Sequence, residues 1–152
     1  MGEVYKRVKD FKTRYPMTVA WRLKANSKVV EKYINPDEYV IYAFAAQKSD
    51  NSLDVFSTAV VTLTNKRILI GRKRAVFGYF VDSVTPDMFN DLKVMSSMIW
   101  GKIYIDTVKE FITLSNIDKR ALDEIETEIS SYMMEAKKLY PSSDDDKSKK
   151  RK

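Results

Sequence analysis

Arg72, Lys73 and Arg74 form an unbroken basic run, Lys48 precedes the polar turn Ser49-Asp-Asn-Ser52, and Lys109 closes a third turn with Thr107 and Val108. Residues of these types contact phosphate, arginine through a planar fork and lysine as a mobile point charge. Asp50, Asp54, Asp106 and Glu110 stand beside them and support the competing reading, a set of solvated turns in which the charges balance. A second basic group runs from the start of the chain to Lys28: Lys6, Arg7, Lys9, Lys12, Arg14, Arg22, Lys24 and Lys28 face only Glu3 and Asp10. Within it Val4, Val8 and Phe11 are interleaved with Lys6, Arg7, Lys9, Lys12 and Arg14, and Trp21-Arg-Leu-Lys24 lies close behind. That is the composition of a helix lying in a membrane interface, where each basic residue adds about 1 kcal/mol on an anionic leaflet. The same apolar stripe equally suits packing on the rest of the chain or on a partner subunit, with its basic face merely wet.

What is missing narrows the chemistry further. The 152 residues include no cysteine and no histidine, which excludes disulfides, thiolate nucleophiles, imidazole catalysis and the common zinc and haem ligand sets. The four glycines are too far apart to build a phosphate-cradling loop. Asp50, Asn51 and Asp54 lack the glycine and bidentate glutamate of a calcium loop. Asp144 to Asp146 lie in a terminal stretch without apolar residues, where nothing preorganises a metal or a general base. The expectation is a binding domain with no catalytic residue, metal, cofactor or small-molecule substrate.

The elements that must hold these residues follow from periodicity. Val4, Val8, Phe11 and Tyr15 recur at helical spacing until Pro16. Val19, Ala20, Leu23, Val30 and Ile34 read as one broken helix or two short ones, with Ser27 as N-cap of the second piece and Asn35-Pro36 as the end. Beyond Pro36 come β-branched and aromatic runs at Tyr39–Ala46, Val55–Thr64, Arg67–Gly71 and Val76–Val84, then near Leu92–Ser97, at Lys102–Asp106 and at Glu110–Leu114. Seven short strands without helical crossovers indicate an antiparallel sandwich or small barrel. Ile117, Ala121, Ile125, Ile129, Tyr132/Met133, Ala136 and Leu139/Tyr140 then form a helical stripe ended by Pro141, with Ser115 and Asp118 expected as its capping box. Ser142 to Lys152 is polar throughout and reads as a disordered tail. The longest uncharged run, Val55 to Asn65, is far shorter than the ~20 residues of a membrane-spanning helix.

Three stretches resemble the bacterial pleckstrin-homology (PH-like) domains: Asn35-Pro-Asp-Glu-Tyr-Val-Ile-Tyr42, the hairpin Val60-Val-Thr-Leu-Thr-Asn-Lys-Arg-Ile-Leu-Ile-Gly71, and Gly101-Lys-Ile-Tyr-Ile-Asp106 with Phe111-Ile-Thr-Leu-Ser-Asn-Ile117. The resemblance implies a non-catalytic module for lipid head groups, peptides or further copies of itself, with the C-terminal helix capping the open end of the barrel. It also implies that the turns after strands one, three and six share one end, gathering Lys48, Arg72, Lys73, Arg74 and Lys109 into a head-group site. Phosphoinositide-binding PH domains carry further Arg or Lys residues along the second strand; here only Lys48 matches, which speaks against specific inositol-phosphate recognition.

The sequence therefore predicts a mainly β fold with helices (α+β), a PH-like seven-stranded antiparallel barrel or sandwich capped by a C-terminal helix. Its divisions are a helical N-terminal extension (1–35), the PH-like domain (36–140) and a charged tail (141–152). The expected role is a non-catalytic binding or adaptor module in the cytoplasm that adsorbs to anionic membrane through Lys6, Arg7, Lys9, Phe11, Lys12, Arg14 and Trp21. The alternative is protein–protein contact or self-association without lipid. Single-stranded nucleic acid is a weaker candidate, because most tyrosines sit inside strands or helical stripes where packing explains them. If the last helix closes the barrel, a chain ending at Asn116 will not melt cooperatively; thermal unfolding of that fragment checks it.

Overall fold

Residues 40–47 carry apolar or aromatic side chains at almost every position, a pattern a strand keeps only when both its faces are covered. The computed structural model, which describes residues 2–48, 57–74 and 76–139, shows what covers them. Helices α1 (Glu3–Arg14) and α2 (Leu23–Glu31) precede seven strands: β1 (Val40–Gln47), β2 (Thr58–Thr64), β3 (Ile68–Lys73), β4 (Tyr79–Val84), β5 (Phe89–Ser96), β6 (Trp100–Thr107) and β7 (Phe111–Asp118). A 3-10 turn (Lys119–Ala121) leads into α3 (Leu122–Lys137). All pairings are antiparallel, in the order β4-β3-β2-β1-β7-β6-β5. The sheet curls into a half-barrel whose two leaves share one ladder pair, Gln47 with Ser115.

Side chains on the concave face form the main core. Phe44, Val61, Ile70, Ile103, Ile105 and Leu114 meet Ile125, Ile129 and Met133 of α3 there, so α3 closes the open side of the barrel. On the convex face of β1 to β3, Ala43, Ala45, Val60 and Leu69 are covered by Val4 and Val8 of α1 and Val30 of α2. Helix α2 comes closest at Gly71, where a Cβ would stand 2.7 Å from a Val30 methyl. Among the described residues β5 and β6 have no such outer layer, and β6 alternates buried with exposed or half-buried residues accordingly, whereas β7 is buried on both faces from Leu114 to Asp118, beside Thr18 and Val19.

Three local expectations need correction. Val19 and Ala20 are not helical: the chain turns at Pro16–Thr18 and runs without regular structure to Arg22, and the Val19 N–H donates to the Asn116 carbonyl at 2.9 Å. Ser27 lies inside α2, buried, its hydroxyl without a partner among the described residues, so it caps nothing. Ile117 belongs to β7, and Ser115 is a strand residue; Asp118 caps the 3-10 turn that precedes α3, its carboxylate accepting the Arg120 N–H at 3.1 Å. Tyr140, the expected tail, Ser49 to Phe56 and Ala75 lie outside the described residues.

Asp118 also joins the ends of the fold. It is buried, accepts two bonds from the Arg120 guanidinium (2.7 and 3.0 Å) and one from the Met17 N–H (3.3 Å), and its own N–H donates to Thr18 Oγ1 at 3.0 Å. The Arg120 hydrogen bonds hold its carboxyl at about 2, against an ordinary 3.8, outweighing burial, which acts the other way. A depressed carboxyl stabilises the fold fully above its ordinary value and ceases to do so as pH falls through its folded one. Asp118→Asn should therefore cost on the order of 2 kcal/mol at neutral pH and give a shallower loss of Tm between about pH 4 and 2, measured by calorimetry.

Candidate functional site

A helix whose one face lies on a sheet exposes the other, and on α2 that outward face carries Lys24, Lys28 and, just past the last turn, Lys32. These three line a groove of about 640 Å³ between α2 and the β3–β4 hairpin, together with Arg22, Ala25, Val29, Lys73, Gly78 and Tyr79. Five of the nine lining residues are cationic and none is acidic. Uncompensated like charge around a concave surface raises the local concentration of anions.

The walls are fixed by hydrogen bonds. Buried Asn26 donates to the carbonyls of Trp21 (3.1 Å) and Thr58 (3.2 Å) and accepts the Lys73 N–H at 2.7 Å, tying α2 to β2 and to the end of β3. Arg22, left-handed at φ 53°, donates from its guanidinium to the Arg74 carbonyl at 3.3 Å. Tyr33 and Tyr79 meet edge to face, hydroxyls 3.0 Å apart; the Tyr79 hydroxyl contact raises the Tyr33 phenol above its ordinary value. Across the hairpin the Arg72 and Arg74 guanidinium groups stack on the Phe80 ring at 4.6 and 5.3 Å.

Of the turn residues expected to gather, Arg72, Lys73 and Arg74 share one hairpin, Lys48 reaches the β4 position two residues along from Phe80, and Lys109 does not join them. Lys48 forms an ion pair with Asp82 of β4. Lys109 lies in the β6–β7 turn, where the Val108 N–H donates to the Met88 carbonyl at 2.9 Å, beside the β4–β5 connection and so at the other end of β4 from the hairpin. The expected convergence of Lys109 fails because the two leaves run in different directions beyond their single shared pair.

The α1 residues are engaged with the fold. Phe11 is fully buried against Tyr42 and Phe44, which corrects its expected surface contact to a core one. Arg7 pairs with Glu3 and donates to the Ile41 carbonyl at 2.9 Å, and Lys12 donates to the carbonyls of Pro16 (2.7 Å) and Thr18 (2.5 Å). Arg14 bridges Asp10 and Glu124 of α3, and these hydrogen bonds, the Glu124 one foremost, raise its affinity for its proton. Burial and the Glu124 bond together raise the Tyr42 phenol as well. Lys6 and Lys9 are exposed, with Glu3 and Asp10 on the same helix; Trp21 is exposed beside Arg22 at the edge of the cationic groove. The signal for the groove was in the sequence as cations four residues apart at 24, 28 and 32. Asn26→Ala should leave the Thr58 carbonyl and Lys73 N–H unpaired, destabilise by about 2–3 kcal/mol in denaturant unfolding, and speed amide exchange at Lys73.

A family model described as "Bacterial PH domain" matches residues 34–130. Two crystal structures are similar in fold: a pleckstrin-homology domain from Shewanella amazonensis SB2B (14% identity, TM-score 0.48, 69% of this chain and 92% of that one) and a DUF1696 family protein with a pleckstrin-homology domain from Shewanella loihica PV-4 (13%, 0.46, 73% and 89%). No curated protein matches in sequence. With the strand order, the closing helix and a family match over most of its length, the chain belongs to the bacterial PH domain family.

Proposed function

We propose that this protein is a non-catalytic module that adsorbs to anionic membrane surfaces through α2 and the β3–β4 hairpin. The observation that carries the reading is the groove lined by Arg22, Lys24, Lys28, Lys32 and Lys73 without a carboxylate. Binding modules of this family are generally non-catalytic, and adsorption needs no reacting group. No helix among the described residues is long and apolar enough to cross a membrane, so attachment in this reading is peripheral, at the inner face. Lipid contact thereby moves from α1, where Arg7, Lys12 and Arg14 hold the fold together, to α2 and Trp21. Residues 1–35 act with the domain that follows, and the basic end of the 141–152 tail adds charge.

A second reading, a protein partner or a second copy of the chain, is favoured by the uncovered face of β5, β6 and the start of β7, where exposed Phe111 stacks on Tyr104 at 5.6 Å and Met95 lies outward. The two respond oppositely to salt, which screens adsorption and leaves apolar contact intact.

Lys24, Lys28 and Lys32 are exposed and their side chains bond no other part of the fold among the described residues, so replacing all three with glutamate tests the site without unfolding it. At about 1 kcal/mol for each cation removed, co-sedimentation with phosphatidylglycerol vesicles should weaken by roughly 100-fold or more. Native binding should also fade at high salt and be absent on phosphatidylcholine. Equal binding by the triple variant would overturn the site.

A further inference from the structure

The β3–β4 turn projects two apolar side chains into water. Gly78, at φ 79°, lets the Arg74 N–H reach the Gly78 carbonyl at 3.0 Å, and this tight closure leaves Val76 and Phe77 at the tip, 77% and 82% exposed. Scattered single apolar residues on a surface need no explanation. Two together on a tip, ringed by charge of one sign, do.

Around the tip stand Arg72, Lys73 and Arg74 on the hairpin and Arg22, Lys24 and Lys28 across the groove. Phe80 does not join the tip, because its ring is the shelf on which Arg72 and Arg74 stack. The arrangement is an apolar point above a collar of cations, and a leaflet presents the complementary layers in the same order, hydrocarbon beneath phosphate. A soluble polyanion would engage the collar and leave Phe77 in water. An apolar protein pocket would take the tip and gain nothing from the collar. Trp21, half exposed beside Arg22, has the amphipathic ring that favours the head-group layer.

Resting on the adsorption reading above, we propose that Val76 and Phe77 are a wedge that enters the acyl-chain boundary of an anionic leaflet while the cation collar stays at the phosphates. Two to three residues of hairpin beyond Lys73 reach about 5–10 Å, the depth at which interfacial apolar groups lie. Binding then has two parts, one that salt screens and one that it does not.

The absence of cysteine makes the test direct, since a single introduced thiol carries the only label. Phe77→Cys and, at the other end of β3 near the β2–β3 turn, Glu135→Cys are each labelled with an environment-sensitive fluorophore and mixed with vesicles of equal phosphatidylglycerol and phosphatidylcholine. The label at 77 should shift to the blue, be quenched by an acyl-chain quencher and be shielded from iodide; the label at 135 should do none of these. Separately, the unlabelled Val76→Ser, Phe77→Ser double variant should lose roughly tenfold or more in affinity with its salt dependence unchanged. Native chain that sediments with these vesicles while the label at 77 remains open to iodide, or while the double variant binds as well as native, overturns the wedge and leaves adsorption standing. Native chain that fails to sediment with them at low salt overturns both.

Discussion

A Cβ at position 71 would collide with a Val30 methyl, so α2 can lie on β3 because that strand presents a hydrogen atom there. Much of the molecule's convex side depends on this close approach. It brings Asn26 within reach of the Thr58 carbonyl and the Lys73 N–H, and it holds Lys24, Lys28 and Lys32 opposite Lys73. Had a larger residue held the helix off by one or two ångströms, the same cations would sit on a broad convex surface, each hydrated separately.

Double coverage of the first leaf explains how charge is distributed. Strands β1 to β3 spend both faces on burial, leaving little room for ionisable groups, and basic residues collect where helices turn away from the sheet. On α1, Arg7 and Arg14 meet carboxylates, Glu3, Asp10 and Glu124. Burial of Glu124 alone would raise its carboxyl, yet the bonds from Tyr42 and Arg14 prevail and keep it below the usual range. Glu38 is balanced in the same way, burial opposed and outweighed by Arg67, Thr64 and the Asn35 N–H. Arg7, Arg14 and Arg67 are thus each matched by a carboxylate, whereas the α2 groove has no acidic lining residue.

The seven strands were legible because each is a short run with the right period, and the continuous apolar character of β1 and β2 recorded their double burial in advance. The helix boundaries were not. Ile117 fits the stripe of the last helix by spacing, but β7 keeps it, since Gly101 across the ladder allows Leu122 to pack where any Cβ would block it. Val19 and Ala20 look helical locally; a carbonyl almost a hundred residues away claims the Val19 N–H instead. Lys109 was misplaced for the same kind of reason, since which turns share an end is decided by how the leaves cross, and no local pattern encodes that.

The bonds that Thr18 and Val19 make to Asp118 and Asn116 have a consequence for how the protein is made. Helices α1 and α2 leave the ribosome well before the strand that anchors their connecting segment. Until β7 emerges, Phe11 has only part of its final surroundings, and a nascent chain keeps such an apolar face within reach of other chains. The cations interleaved along α1 and α2 give these unfinished faces like charge, which opposes their association while the chain is incomplete.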